Sequence, residues 1–397
     1  MLLNSLNSSS PRLARDQVTA AALAQAKEAL IGYAITYGDT HSNVSGFLPC
    51  PDQGQNNTED GEANSECGVD INSIVAVNVT AIGKFPWKTL KSSTLKDGNS
   101  ECLWYAVSGN YKNNPNTELM NWDNNGLLQT LSPDGVTLLP GSSTNNHPVA
   151  IIFAPGPTLA TQSRNSLPKA ASCGGNYTTS NYLDNDTIHN INNAVTSTTA
   201  NAVTQFISGQ VKDLSGNEIV NDRLLIITKE DLFNAIKKRS DFELFINTML
   251  SSTKACLTPT PPSSPLISPV SLNFSNTPLT EGAGTTVGSL ELGRAPKSCL
   301  AAPYNNWQDN ILYARCSSGS SCLSVNGATC RGIVIFTGQG TTSQLRASNL
   351  QKNTWSNYLE DTPNNNLTSF STGSTTFTSS PSYSSTSPST DVIACIP

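Results

Sequence analysis

The chain has 397 residues, of which 37% are hydrophobic and only 13% are charged, and its formal net charge is −6. So few charged residues argue against intrinsic disorder, which usually accompanies high net charge. The excess of acidic over basic residues, 29 to 23, argues against a nucleic-acid-binding protein. The length predicts two or three domains, and the abundance of Asn, Ser and Thr favours a loop-rich protein that contains sheets and acts outside the cytoplasm.

Residues 10–38 are predicted to form an N-terminal helical stem. Pro11 stands at the first helical position after a serine suited to capping, alanine is abundant, and Gly38 suits the end of a helix. Four apolar residues recur with helical spacing and share one stripe: Leu23, Leu30, Ile31 and Ala34. The helix is expected either to pack on its own domain or to let a neighbouring backbone approach its Ala-rich face closely.

Residues 46–70 are predicted to form an acidic loop, in which Pro49 and Pro51 fix the backbone around Cys50. Carboxylates among glycines suit a Ca²⁺ ion, although the spacing does not match an EF-hand. The candidate calcium ligands are Asp52, Glu59, Asp60 and Glu62. The alternative is a solvated acidic loop, and no other cofactor is expected.

Apolar and aromatic runs predict strands near residues 74–90, 103–107, 149–154 and 223–228, followed by a helix that runs to about residue 250. Pro and Ser then dominate, which indicates a surface connection. The predicted organisation is a helix at 10–38, a first globular lobe at 39–255, a linker at 256–298, and a second lobe at 299–397 that ends in a Ser/Thr-rich tail.

Two stretches of the chain resemble each other, with the matching segments in the same order. This pattern favours two related helix-plus-sheet lobes that arose by duplication; chance similarity among common strand sequences is the alternative. The matched segments are 103–106 with 311–314, 151–153 with 334–336, Gln162-x-Arg164 with Gln344-x-Arg346, and 180–184 with 356–360.

The repeated Gln-x-Arg element has two interpretations. A guanidinium group could bind a carboxylate or phosphate ligand through its planar fork. Alternatively, it could hydrogen-bond loop carbonyls or pair with a nearby carboxylate, Asp184 in the first stretch or Glu360 in the second. The second interpretation is favoured, because an element present twice is expected to be a structural part rather than a unique active site.

The ten cysteines form no Cys-x-x-Cys pair and are accompanied by only three histidines, which argues against a zinc module. Disulfides formed in an oxidising compartment are favoured over scattered buried thiols. Cys50 is predicted to pair with Cys67. Further predictions join Cys102 to Cys173, and two of Cys316, Cys322 and Cys330 to each other.

Motifs for catalysis are missing from the sequence. It contains no nucleophile elbow, phosphate-binding loop or dinucleotide fingerprint. Adjacent carboxylates such as Glu230-Asp231 are poor evidence for glycosidase chemistry, since neighbouring residues on a strand face opposite ways. A hydrolase is therefore disfavoured, and the protein is predicted not to be an enzyme.

Several short segments resemble recurring words of bacterial type IV pilin-like proteins, a group that includes large minor pilins and the pseudopilins of type II secretion. The resemblance covers residues 10–250 well and 299–360 more loosely. It implies an α+β fold in which an N-terminal helical stem packs on an antiparallel sheet, here with two related pilin-like lobes. The segments are ALAQAKEALIGYA at 22–34, LPCPD at 48–52, PWKTL at 86–90, LWYAVS at 103–108 and NDRLL at 221–225.

Such proteins begin with a basic leader that ends in Gly, followed by a long apolar helix. This sequence lacks both, and Met1-Leu2-Leu3 is interpreted as the last remnant of the apolar part. The codons upstream of Met1 are therefore expected to encode a leader and further apolar residues. Contact with the inner membrane is expected only in that longer form, which would be anchored there before assembly.

The resemblance implies a non-catalytic subunit of a bacterial surface filament or secretion pseudopilus, in a minor or tip position. Its partners would be other pilin or pseudopilin subunits, contacted through the helix that bears Leu23, Leu30, Ile31 and Ala34. Its location would be extracellular, on the cell surface, or periplasmic. The alternative is a secreted adhesin or binding module that holds an unidentified surface ligand through loops around Trp122 or Trp355.

Overall fold

The computed structural model contains a long N-terminal helix and several antiparallel sheets, which confirms the predicted α+β class. Its residues fall into two compact units. The first unit comprises Met1–His41, Ser45–Glu118 and Asn125–Phe233, and the second comprises Ser42–Val44, Leu119–Asn124 and Asn234–Pro397. The structure describes residues 3–41, 44–54, 60–68, 78–115, 119–143, 145–164, 173, 175–258, 268–269, 283–287, 290–316, 321–352 and 354–397.

In the described residues, the first unit contains helix α1 (Leu3–Thr36) and ten strands. Four of these strands form an antiparallel sheet in the order β1-β2-β4-β10, and the others form two-stranded pairs, β3 with β7, β5 with β6, and β8 with β9. The strands are β1 (Ala81–Lys84), β2 (Trp104–Val107), β3 (Leu128–Leu131), β4 (Ala150–Ala154), β5 (Asn185–Asp186), β6 (Ile191–Asn192), β7 (Thr204–Ile207), β8 (Val211–Lys212), β9 (Glu218–Val220) and β10 (Arg223–Ile227).

Strand β4 is buried along its whole length because both faces of the sheet are covered. Ile151 and Phe153 join an aromatic core that includes Trp104 and Phe206 on one face. Since side chains alternate along a strand, Ile152 points to the opposite face. Helix α1 packs against β4 and β10, which explains why the sequence shows a continuous apolar run here rather than an alternating one.

Helix α2 (Lys229–Ile236) follows β10, and helix α3 (Phe242–Leu257) opens the larger part of the second unit. A six-stranded sheet has the order β11-β12-β13-β14-β17-β19, antiparallel except for the β11–β12 pair, and α3 packs against β17 and β19. The strands of this unit are β11 (Ser268–Pro269), β12 (Ala283–Val287), β13 (Leu290–Arg294), β14 (Ile311–Cys316), β15 (Leu323–Val325), β16 (Ala328–Cys330), β17 (Gly332–Phe336), β18 (Thr376–Phe377) and β19 (Val392–Ile396).

A smaller three-stranded sheet, β16-β15-β18, and two short helices, α4 (Asn349–Lys352) and α5 (Asn366–Ser371), complete the second unit. Its main core is built around Leu312, Ile335, Tyr358 and Phe370. The second unit differs from the predicted lobe at 299–397, because α3 and Leu119–Asn124 also belong to it. Composition alone placed the division at the Pro/Ser-rich stretch, whereas the apolar side of α3 is buried on the later sheet.

Five disulfides use all ten cysteines. The predicted pairs Cys50–Cys67 and Cys102–Cys173 are present, and the pair predicted among the later cysteines is Cys316–Cys322. Cys330 pairs instead with Cys395, because Cys330 comes just before β17, in which Ile333 stands opposite Cys395 of β19. The fifth disulfide is Cys256–Cys299, which links the end of α3 to the segment before β14.

Candidate functional site

The Gln-x-Arg element of the first unit follows strand β4. The Arg164 guanidinium donates hydrogen bonds to five acceptors. Three of them are the Asn181 carbonyl (3.0 Å), the Gly156 carbonyl (2.8 Å) and Oε1 of Gln162 (2.6 Å). The others are the carbonyls of Pro155 (3.5 Å) and Tyr182 (3.3 Å). It also lies over the Tyr182 ring, 5.5 Å from the ring centre. The donors of the guanidinium fork are therefore directed at the protein's own loops.

The second unit repeats this arrangement after strand β17. The Arg346 guanidinium donates to the Asn357 carbonyl (2.6 Å), the Gly338 carbonyl (3.0 Å) and Oε1 of Gln344 (3.3 Å), and it lies 4.3 Å from the centre of the Tyr358 ring. The asparagine, glycine and glutamine partners occupy corresponding positions in the two repeats. The prediction that this arginine binds loop carbonyls is thus confirmed in both units.

Glycine is required at the turn that each arginine holds. Gly156 and Gly338 both have left-handed backbone conformations, with φ of 65° and 57°. A Cβ atom on Gly156 would lie 2.7 Å from Oδ1 of Asn221, and one on Gly338 would lie 2.7 Å from the Pro388 carbonyl oxygen. In both units, therefore, the segment just before an edge strand of the sheet, β10 or β19, passes so close to this glycine that a side chain there would clash.

A pair of buried carboxyl groups joins that segment to the rest of the first unit. The backbone N–H of Asp184 donates to Oδ2 of Asp222 (2.8 Å), and the N–H of Asp222 donates back to Oδ2 of Asp184 (3.1 Å). The Asn193 amide also donates to Asp222 (2.8 Å), and the Gln162 amide to Asp184 (2.7 Å). Because Asp222 immediately precedes β10, these bonds fix the entry of that strand.

The second unit has the equivalent pair, Glu360 and Asp391, and Asp391 immediately precedes β19. The N–H of Glu360 donates to Oδ2 of Asp391 (3.3 Å), and the Asn366 amide donates to the same oxygen (3.1 Å). We call Gln162, Arg164, Asp184 and Asp222 the first acid–arginine cluster, and Gln344, Arg346, Glu360 and Asp391 the second.

Burial raises the pKa of all four carboxyl groups in the two pairs. Burial raises the pKa of Asp184 to about 6, and burial followed by the charge of Asp184 raises the pKa of Asp222 well above its usual range. Burial, and then the charge of Asp391, raises the pKa of Glu360 to about 10, while burial raises that of Asp391 to about 6. In each unit one guanidinium thus faces two buried carboxyl groups whose pKa values are raised.

The contacts of these clusters suit a structural role rather than catalysis. Their hydrogen bonds go to backbone groups and to side chains of the same unit, and Asp184, Asp222, Arg346 and Asp391 are each less than 5% exposed. The sequence singled out the arginines but missed Asp222 and Asp391 as partners. The signal that could have found them is an aspartate directly before the last apolar strand of each repeat.

The acidic loop is tied to the protein's own donors. The Asp52 carboxylate accepts hydrogen bonds from the N–H groups of Gly61 (2.8 Å) and Gly54 (3.0 Å) and from the Tyr177 hydroxyl (3.1 Å). Asp60 accepts one from the N–H of Cys173 (3.0 Å). These bonds use the oxygen atoms that the sequence assigned to Ca²⁺.

Of the other two candidate calcium ligands, Glu62 is half-buried and Glu59 lies outside the described residues. Within the described part of the chain, no group of three or more His, Cys, Asp or Glu side chains is placed to hold a metal ion. The positive charge near Asp52 and Asp60 is supplied by the buried Lys84, whose ammonium donates to the Cys173 carbonyl (3.0 Å).

The helical stripe predicted to contact other subunits is buried inside the first unit. Leu23, Leu30, Ile31 and Ala34 are each at most 8% exposed, because this side of α1 faces β4 and β10. A subunit contact through α1 would therefore use exposed positions of the helix, which include Leu13 and Val18, 59% and 51% exposed.

The tryptophans named as ligand platforms are also in the core. Trp122 is 3% exposed and makes an edge contact with Trp307 at 4.6 Å between ring centres, and Trp355 is 4% exposed and packs near Phe370. A ring buried in this way cannot stack on a sugar or another surface ligand.

No protein-family model, curated protein or solved structure matches the chain. Within the described residues, no helix has the length and apolar character needed to cross a membrane. The features that bear on function are therefore helix α1, the disulfides and the two acid–arginine clusters.

Proposed function

We propose that the protein is a non-catalytic, pilin-like subunit of a bacterial surface filament or secretion pseudopilus, in a minor or tip position. The observation that carries the proposal is α1, a helix of 34 residues whose later part packs on an antiparallel sheet while its earlier part lies exposed. At 1.5 Å per residue such a helix is about 51 Å long.

The exposed part of α1 favours a role in assembly. Among residues 11–18 only Asp16 is half-buried and the others are exposed; full burial begins at Thr19. This stretch has an ion pair between Asp16 and Arg223 (2.8 Å) but buries little apolar surface, and a short helical stretch with so little packing is marginally stable in water. A neighbouring subunit that covered Leu13 and Val18 would stabilise it by removing apolar surface from water.

In the part of α1 that packs on the sheet, the exposed side of the helix carries small residues. Ala20, Ala21 and Ala24 are exposed, whereas Ala22 and Ala26 are buried on the other side. The distance between packed helices depends on the side chains at the contact, so an alanine surface allows a partner helix to come close. This surface supports helix-to-helix packing between subunits.

Two further observations support an exported structural subunit over an enzyme or an adhesin. Five disulfides are typical of proteins from an oxidising compartment. The repeated arginines serve loops and buried acids, and all five tryptophans are buried or half-buried. The arginines and tryptophans that suggested a reactive or ligand-binding surface thus make contacts within the protein itself.

Photo-crosslinking in the bacterium that makes the protein tests the proposal. Benzoylphenylalanine at Val18 is expected to crosslink the full chain to another subunit, because this position lies on the open side of α1. The matched control is the same residue at Leu214, which is 100% exposed but lies away from the helix. Crosslinks of equal yield at both positions, or none at Val18 in cells that assemble filaments, would refute the proposed role.

A further inference from the structure

An open groove of about 520 Å³ lies in the first unit and is lined by strands β3 and β7 and by residues from the segment 190–197. Its volume is within the range of roughly 300–1,000 Å³ that is usual for small-ligand pockets. The described residues that line it carry amide, hydroxyl, imidazole or aliphatic side chains, and none of them is Asp, Glu, Lys or Arg. A groove without a fixed charge gives no advantage to a phosphate, a carboxylate or a cation.

The walls of this groove are held together by hydrogen bonds. The Asn193 amide donates to the Ile207 carbonyl (2.9 Å), and the N–H of Ile207 donates back to Oδ1 of Asn193 (2.9 Å). The N–H of Ser197 donates to Oγ1 of Thr204 (3.1 Å). These bonds join the segment 190–197 to β7, so the groove is formed before a ligand arrives. They also occupy the backbone of Ile207, whose N–H and carbonyl an added peptide strand would need.

Two glutamines that face each other across the strands give the groove a free donor and a free acceptor. Gln129 of β3 is in register with Gln205 of β7, and both residues line the groove. The Gln205 amide donates to Oε1 of Gln129 at 2.7 Å, which uses one end of each side chain. The amide nitrogen of Gln129 and the amide oxygen of Gln205 make no hydrogen bond with any other described residue. Both groups therefore remain free for a ligand.

Two further lining residues supply donors. Oδ1 of Asn192 accepts a hydrogen bond from the N–H of Ala194 (2.9 Å), so the amide nitrogen of Asn192 is left over. Oγ1 of Thr204 accepts the bond from Ser197, so the hydroxyl hydrogen of Thr204 is left over. Neither group donates to another residue in the part of the chain that the structure describes.

A buried imidazole also lines the groove. His147 is 8% exposed, and its Nε2 has no hydrogen-bond partner among the described residues. Burial lowers the pKa of this ring, which favours the neutral form, and a neutral imidazole has one nitrogen that accepts a hydrogen bond but cannot donate one. A buried polar atom without a partner is unfavourable, and a hydroxyl group of a ligand would supply the partner.

We propose that this groove binds a neutral saccharide. A sugar hydroxyl both donates and accepts hydrogen bonds, which matches a lining that offers unpaired donors and acceptors but no charge. The aliphatic side chains of Val195 and Val203, which are 57% and 42% exposed, provide an apolar surface for the C–H face of a sugar ring. A charged ligand would lose its hydration in the groove without gaining an opposite charge. Saccharide binding does not depend on the proposed filament role.

Saturation-transfer NMR and calorimetry on the oxidised full chain test the proposal with maltose, cellobiose, lactose and N,N′-diacetylchitobiose as probes. At least one of these neutral disaccharides is expected to bind saturably. The double variant Gln129→Ala/Gln205→Ala should bind it about tenfold more weakly, since the variant loses one donor and one acceptor for the ligand. The matched control Gln17→Ala/Gln25→Ala removes two exposed amides from α1 and should bind normally.

A second variant, Val195→Asp, places a charge at an exposed position of the groove and should also weaken binding. Three results would overturn the proposal: no saturable binding of any of the four sugars, an equal loss in the α1 control, or unchanged binding in both groove variants. Equally tight binding of an acetylated and amidated tetraserine peptide would overturn it as well, because the groove would then recognise peptides. Circular dichroism and non-reducing mass spectrometry confirm that each variant is folded with its five disulfides.

Discussion

The two acid–arginine clusters share a hydrogen-bond pattern but differ in one acid and in the depth of the arginine. Aspartate follows the Asn-Tyr-Leu segment in the first unit, at Asp184, and glutamate in the second, at Glu360. The Arg346 side chain is 2% exposed and the Arg164 side chain 5%. Both arginines donate to corresponding loop carbonyls. The two clusters therefore keep the same backbone arrangement, although the acidic side chain is longer in the second.

The surroundings of the two arginines differ as well. Arg164 has Glu101 at 3.4 Å, at the start of its own sheet. Arg346 has Asp123 at 3.5 Å, supplied by the inserted segment Leu119–Asn124, and Glu360 at 3.9 Å. The second cluster therefore concentrates more charge in a less exposed place, and breaking it should cost more.

The largest expected effect comes from removing the buried guanidinium. Arg346→Met leaves two carboxyl groups and two loop carbonyls without their cation, and loss of one partner of a buried ion pair costs about 3–5 kcal/mol. Arg164→Met should cost less, because its side chain is more exposed. Urea unfolding of the oxidised chain, followed by tryptophan fluorescence, measures both; an equal or smaller cost for Arg346→Met would contradict the comparison.

The next effect is on pH dependence. The folded-state pKa of Glu360 is raised to about 10 from an ordinary 4.5, so the folded protein binds the proton more tightly than the unfolded chain does. The contribution to the free energy of unfolding is therefore greatest in acid and is lost as pH rises towards about 10. The folded-state pKa values of Asp184 and Asp391 are about 6, so their contributions to the free energy of unfolding are lost at a lower pH, by about pH 6.

Glu360→Gln, which mimics the protonated acid, should flatten the fall in stability between pH 6 and 10 by an amount on the order of a few kcal/mol. Its matched variant Asp184→Asn should change the slope mainly below pH 6. Unfolding free energies measured at several pH values check both. A slope above pH 6 that is unchanged in Glu360→Gln would show that the buried pair does not hold its proton there.

The smallest effect concerns the amides that support each pair. Asn193 donates to Asp222 and also exchanges two hydrogen bonds with the backbone of Ile207 (2.9 Å each), whereas the Asn366 amide donates to Asp391 alone. Asn193→Ala is expected to cost about 2–3 kcal/mol and Asn366→Ala about 1 kcal/mol, by the number of buried groups left unpaired. Thermal unfolding measures both costs. A larger cost for Asn366→Ala than for Asn193→Ala would contradict the expectation that the cost follows the number of unpaired groups.

Local features were predictable from the sequence. Helix α1 has capping residues and helical periodicity, strands β4 and β10 are continuous apolar runs, and the Gln-x-Arg elements repeat in order. Two disulfide pairings were also within reach, because Cys50 and Cys67 are 17 residues apart and Cys316 and Cys322 are 6 apart. These features depend on residues that lie near one another along the chain.

Partners that meet only after folding were not predictable. Asp184 and Asp222 are 38 residues apart, and Asn121 donates to the Asn306 carbonyl across 185 residues. The side of α1 that is buried also depends on where the sheet lies: periodicity identified the stripe of Leu23 and Leu30 but not whether its cover is the same chain or a neighbour.

The course of the chain through the two units has a consequence for dissection and recombination. Leu119–Asn124 belongs to the second unit although both flanking segments belong to the first. It supplies Trp122, whose ring lies 5.7 Å from Phe336, and Asp123, which accepts a hydrogen bond from the Asn310 amide at 2.9 Å. A fragment that starts at Asn234 would lack both, so the later half is not a transplantable module. Any chimera that uses the second unit must therefore also include Leu119–Asn124.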